Sequence, residues 1–123
     1  MYKRQLLTLY RKGDFDIGTY NWVFGTGEVC DFYNTVLHTK IGLYGKCNYS
    51  GYSNSVFDSL VEFADRSYGK DRHKAILRAT EILMRDLPII PFYECPNLVA
   101  IKREIDYSVR LDGRIYGFEL GRK

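Results

Sequence analysis

Between residues 55 and 86 the apolar positions recur with a helical period. Phe57, Leu60, Val61 and Ala64 stand at i, i+3, i+4 and i+7, which places them on one face of a helix. Ser55 precedes them as a candidate N-cap, Asp58 sits in the positive first turn, and Gly69 marks the expected end. A second helix follows, with Asp71 as its candidate N-cap and an apolar stripe of Ala75, Ile76, Ala79, Ile82 and Leu83. Pro88 stops it, because proline biases the preceding Leu87 away from helical geometry. Two such helices joined by a short turn predict an αα-hairpin.

The rest of the chain is less regular. Leu6, Leu7, Leu9 and Tyr10 lie among basic residues like the tail of an amphipathic helix that Gly13 stops. From Phe15 to Trp22 the pattern alternates with a period near two and predicts a strand. Gly25 and Gly27 then make residues 23–28 a loop. Residues 32–38 read as a short helix, and a tyrosine-rich loop punctuated by Gly42, Gly45, Asn48, Gly51 and Asn54 follows. Residues 89–93 and 98–101 are strand candidates, with Pro91 forcing an edge or a bulge. The tail from Asp106 alternates weakly, and no internal repeat or low-complexity stretch is present. The expectation is a mixed α/β class without strict βαβ alternation.

With 123 residues, the chain is expected to form a single domain over 1–123. A 15% aromatic content gives it enough large side chains to bury and argues against disorder. The net charge of +3 is too small to imply nucleic acid. Stacking on a nucleic-acid strand would also need cations between the aromatics, yet no Lys or Arg occurs from Gly13 to Thr39, so no nucleic-acid partner is expected. No apolar run approaches the roughly 20 residues of a membrane span. The start of the chain has no apolar core or cleavage site of a secretory signal. Cys30, Cys47 and Cys95 are odd in number and widely spaced, which suits neither a disulfide framework nor a zinc site; three thiols, or one pair and a free thiol, are the readings left.

Candidate chemistry is sparse. His38 and His73 form no ligand spacing, and no Gly-x-Ser-x-Gly elbow occurs. Asp14 and Asp16 would share one face of a strand as an acid/base pair, but a solvated turn is the favoured reading. The pair Gly25-Thr-Gly27 lacks the third glycine and helix of a phosphate loop. Asn48-Tyr-Ser50 matches a glycosylation sequon, a pattern common by chance. Neither metal nor cofactor is expected. Binding has more support: Tyr20, Trp22 and Phe24 cluster beside flexible glycines, and Tyr44, Tyr49 and Tyr52 follow on a loop, the setting in which aromatics form recognition surfaces.

Gly13-Asp-Phe-Asp-Ile-Gly18 followed by Trp22 resembles the "gdfDi…W" segment of the family 5 extracellular solute-binding proteins, the peptide-binding components of ABC importers. Asn48-Tyr-Ser-Gly-Tyr-Ser-Asn54 with Phe57-Asp58-Ser-Leu60 is similar to that family's "N…Y.N..fD.Ll" segment. Arg72, Ala79 and Met84-Arg-Asp-Leu-Pro-Ile-Ile-Pro91 resemble its "R..l…A..i…D.p.iPl" segment. The motifs keep family order over residues 12–103, about three-quarters of the chain.

The resemblance implies the C-terminal lobe portion of a type II periplasmic-binding-protein-like fold, with a mixed sheet beside the αα-hairpin. It implies a place in a larger two-lobed, non-catalytic protein, exported to the periplasm, that binds a peptide or other small organic solute and delivers it to an ABC permease. By the same resemblance Tyr20, Trp22, Val23, Phe24 and Gly25 line the ligand cleft. Some oligopeptide binders carry an aspartate three residues after the tryptophan, paired with the ligand's amine. Here that position is Gly25, so a free amine would need Glu28 or Asp31 instead. The tyrosines also suit sugars. An excised lobe is expected to expose apolar patches and to form homo-oligomers. The alternatives are a stand-alone interaction module derived from the lobe, a non-functional truncated product, and a small enzyme using Asp14, Asp16 or His38.

Overall fold

A computed structural model describes residues 3–123 of the chain. Its centre is the helical hairpin. Helix α1 spans Lys3–Lys12, α2 spans Val29–Phe32 and runs into a π-helix at Tyr33–Leu37, α3 spans Ser55–Arg66 and α4 spans Gly69–Asp86. The short helix expected at 32–38 is therefore present, three residues longer at its start and wound as a π-helix in its second half.

Helices α3 and α4 bury the stripes their periodicity predicts. Phe57, Val61 and Ala64 of α3 and Ala75, Ala79 and Ile82 of α4 are buried, with Leu60, Ile76 and Leu83 packed around them. Phe57, fully buried, meets Tyr33 edge-on at 5.5 Å and Tyr52 at 5.9 Å, which ties the π-helix and the tyrosine loop to the hairpin.

The caps are shifted from expectation. Asn54, not Ser55, caps α3, its Oδ1 accepting from the backbone N–H groups of Val56 and Phe57. Helix α3 stops at Arg66, and Gly69 opens α4 rather than closing α3, so Asp71 lies in the first turn and Tyr68 occupies the cap position. At the far end Leu87 is the left-handed C-cap (φ 45°, ψ 51°), its N–H donated to Leu83 O, and Pro88 disfavours any continuation of the helix. The π-helix leaves carbonyls without helical partners, and the loop supplies them: Gly45 N–H donates to Asn34 O at 2.7 Å and Cys47 N–H to Thr35 O at 2.8 Å.

The sheet expectation is corrected. Among the described residues the strands predicted at 15–22, 89–93 and 98–101 are irregular chain. The sheet is a two-stranded antiparallel ribbon of β1 (Ile105–Asp106) and β2 (Gly121–Arg122), with Ile105 opposite Arg122 and Asp106 opposite Gly121. A strand exists only with a neighbour to complete its ladder, and none runs beside these segments. Pro91 and Pro96 also remove donors. The class is thus mixed helix and strand, with helix dominant. The would-be strand residues Ile90, Phe92 (86% exposed), Tyr93 and Leu98 stand at the surface. No helix among the described residues is long and apolar enough to cross a membrane.

Candidate functional site

The segment 19–25 has no ladder of its own, so its position comes from side chains. Tyr10, buried at the end of α1, donates from its hydroxyl to Thr19 O at 2.6 Å. Its ring also lies 2.7 Å from where a Cβ at Gly18 would sit, so any larger residue there has to displace the Tyr10 ring.

From this anchor a strip of rings crosses the surface. Tyr10 meets Phe15 and Tyr49, Tyr49 meets Tyr20 edge-on at 5.7 Å, and Tyr20 meets Trp22 at 6.0 Å. Phe32, on α2, then joins Trp22 at 5.9 Å and Phe24 at 5.6 Å. These separations are those of interacting aromatic pairs. Trp22 is half-buried against the hairpin core, and its indole N–H is buried without a hydrogen-bond partner. Tyr20 and Phe24 remain 43% and 42% exposed. Burial first, and then the Cys47 thiol beside it, raise the Tyr20 phenol well above its ordinary range, so Tyr20 is a neutral hydroxyl at any physiological pH. Burial and Cys47 act on Tyr49 in the same direction.

Of the predicted site residues, Tyr20, Trp22 and Phe24 come together in the strip. Val23 is exposed, and Gly25 stands in open space with its N–H donated back to Val23 O at 2.9 Å. Gly25, Thr26 and Gly27 form one side of a shallow depression of about 320 Å³, opposite Arg110, Leu111 and Asp112. Arg110 is already committed: it grips Asp112 at 2.8 and 2.9 Å and Glu119 at 2.6 Å, and lies 4.9 Å over the Tyr116 ring. That grip holds the Asp112 carboxyl down at about 2. Of the loop aromatics singled out with Tyr20, Trp22 and Phe24, Tyr49 joins the strip; Phe32 and Cys47 adjoin it but carry no local sequence signal that would join them to residues 20–24.

Glu28, one of the two candidate counter-charges for a ligand amine, is engaged by Arg72. The same guanidinium donates to Ala64 O at 2.8 Å and so closes the C-terminus of α3. Asp31 lies in the first turn of α2.

Apart from Tyr49, the motif residues of the middle of the chain hold the scaffold. The buried Asn48 donates from Nδ2 to His38 O at 2.9 Å and to Tyr52 O at 2.7 Å. A nitrogen so enclosed has no room for a glycan in the folded chain. Tyr52 Oη and Asn54 Nδ2 both donate to Asp86 Oδ2, at 2.8 and 2.9 Å, which joins the loop to the end of α4. These bonds, with Arg85, hold the Asp86 carboxyl below the usual range, while burial and that carboxylate push Tyr52 up to about 12. Asp58 accepts the Thr39 N–H at 3.0 Å.

The residues singled out for catalysis are scattered. Asp14 and Asp16 are exposed on irregular chain rather than on a strand, and His38 is buried at 1% exposure. Among the described residues no three His, Cys, Asp or Glu side chains converge as a metal site. No family model, curated protein or solved structure matches the chain.

Proposed function

We propose that this chain is the C-terminal lobe portion of a two-lobed solute-binding protein that serves an ABC-type importer, and that it meets its solute with the Tyr20–Gly25 loop. The observation that carries the reading is the strip itself: two half-exposed rings, Tyr20 and Phe24, flank a tryptophan wedged against the core, on a loop that ends in unobstructed glycine. Rigid aromatic surface of this kind offers contact area at little entropic cost. The ordered motifs add to it, because Asn48, Tyr52, Asn54, Phe57, Asp58, Arg72 and Asp86 cooperate in bracing one scaffold. The exposed Ile90, Phe92, Tyr93 and Leu98 fit a lobe that in the whole protein is covered by its companion.

In this reading the lobe does no chemistry. The solute, a peptide or another small organic molecule, rests on the rings, and a hinge closes the second lobe over it in the periplasm before delivery to the permease. Trp22 is the only tryptophan, so its fluorescence reports the site alone. Short peptides and neutral oligosaccharides titrated into the chain should change that fluorescence saturably, and Phe24→Ala should weaken the response about tenfold, the loss of one aromatic contact. A flat response to both solute classes, or an unchanged response in Phe24→Ala, refutes the reading.

A further inference from the structure

The charges around the aromatic strip are engaged with one another or stand at its ends. From Gly13 to Thr39 the chain carries no Lys or Arg. Glu28, just past the loop, is bound by Arg72. Arg110, which faces Gly25 across the shallow depression, is bound by Asp112 and Glu119. Asp31 is half-buried in the first turn of α2, where the positive end of the helix offsets its charge. Arg11 stands against the Tyr49 phenol, at the other end of the strip from Phe24, and Asp14 and Asp16 lie on exposed chain ahead of it. A charged group brought onto residues 20–25 would lose water without gaining a counter-charge, which costs far more than burying a neutral hydroxyl that finds a hydrogen bond.

The loop does offer two neutral kinds of contact. Tyr20 and Phe24 present half-exposed ring faces on either side of Trp22. Such faces carry negative charge density and attract the polarised C–H bonds of a ring laid over them. The backbone supplies the second kind: the N–H groups of residues 20–24 have no backbone partner among the described residues. They can donate to hydroxyl oxygens, and the Tyr20 phenol, held neutral, adds a hydroxyl of its own. An array of ring faces and N–H donors without free charge matches a sugar, whose rings are apolar on their faces and bear hydroxyls at their edges.

We propose that the Tyr20–Gly25 loop is a subsite for an uncharged, hydroxyl-bearing ring compound: a neutral oligosaccharide segment lying across Tyr20 and Phe24 and accepting hydrogen bonds from the backbone beside Trp22. The inference rests on the solute-binding reading and narrows it, since any charge on the whole solute is then met outside this lobe.

The test follows Trp22 fluorescence with three trisaccharides of one size: neutral cellotriose, the glucosamine trimer, which is cationic at mildly acid pH, and anionic trigalacturonate. Trialanine with free ends and its acetylated, amidated form complete the set. Cellotriose should bind at least about tenfold more tightly than either charged trimer or either peptide, the lower end of the penalty for an unpaired charge or a lost set of hydroxyl contacts. Its affinity should be the same at low and at high salt. Val23→Asp adds a carboxylate at an exposed position between Trp22 and Phe24. It should strengthen binding of the glucosamine trimer about threefold, the worth of an exposed ion pair, and leave cellotriose unchanged. Binding of a charged trimer or of either peptide as tight as that of cellotriose overturns the inference and leaves the solute-binding reading standing. An unchanged glucosamine-trimer affinity in Val23→Asp overturns it as well, because the sugar then lies off the loop. A flat response to all the probes overturns both.

Discussion

Replacing Gly45 by alanine should be among the most damaging single-methyl additions in this chain. Gly45 has φ +63°, where an L-residue is disfavoured by about 1–2 kcal/mol. The new Cβ would also lie 2.5 Å from His38 O, 2.8 Å from Lys40 Cα and 2.9 Å from Lys40 N. All three are main-chain atoms, so no rotamer change relieves the clash, and backbone shifts of this kind cost about 1–3 kcal/mol. The shift pulls on the Gly45 N–H bond to Asn34 O, which closes the π-helix and is worth about 1 kcal/mol. The combined loss is about 3–6 kcal/mol, against a total stability on the order of 5–15 kcal/mol for a domain of this kind. Two further glycines separate the contributions. Gly51 has φ +70° but open space around it, so Gly51→Ala should show only the conformational part, about 1–2 kcal/mol. Gly25 has neither constraint, so Gly25→Ala should change stability by less than about 1 kcal/mol. Urea unfolding followed by far-ultraviolet circular dichroism ranks the three. If Gly45→Ala costs no more than Gly51→Ala, the packing of the loop onto the π-helix described above is wrong.

Two other outcomes follow from the braces around the hairpin. Tyr52, pushed up to about 12, stays protonated in the fold above the ordinary phenol value near 10, so its stabilising contribution is complete below about pH 10 and is lost as pH rises toward 12. Phenolate absorbance should therefore show a late-titrating fraction that shrinks by one tyrosine in Tyr52→Phe, while Tyr20, also raised, stays within it. Arg72→Met should lower the unfolding midpoint by the equivalent of about 1–2 kcal/mol, because it frees both the Ala64 carbonyl and Glu28. Arg72→Lys should recover only part of this, since an ammonium cannot fork to both partners.

Local periodicity carried the parts of this molecule whose contacts are local. The faces of α3 and α4 were legible because residues three and four apart share a helix face whatever lies opposite, and Gly13 and Pro88 ended helices through their own backbone chemistry. The aromatic residues 20, 22 and 24 could be singled out for the same reason, as neighbours in the chain. The choice of Asn54 over Ser55 as cap was not legible, because both side chains can accept and only the entry path of the loop selects one. Nor was the π-helix, whose extra backbone groups are satisfied from residues 45 and 47.

What needed the folded molecule is whatever depends on partners far along the chain. Phe32 and Tyr49 joined the strip from other elements, Arg72 reached Glu28 across 44 positions, and Asp86 reached Tyr52 across 34. The segments 15–22, 89–93 and 98–101 make the same point in reverse. Their alternation and apolar content are strand-like, yet a strand is a property of two segments, and these run without a neighbour. Side-chain spacing states which face a residue can share; a hydrogen-bond ladder or a buried ion pair exists only once the chain has brought the second member alongside.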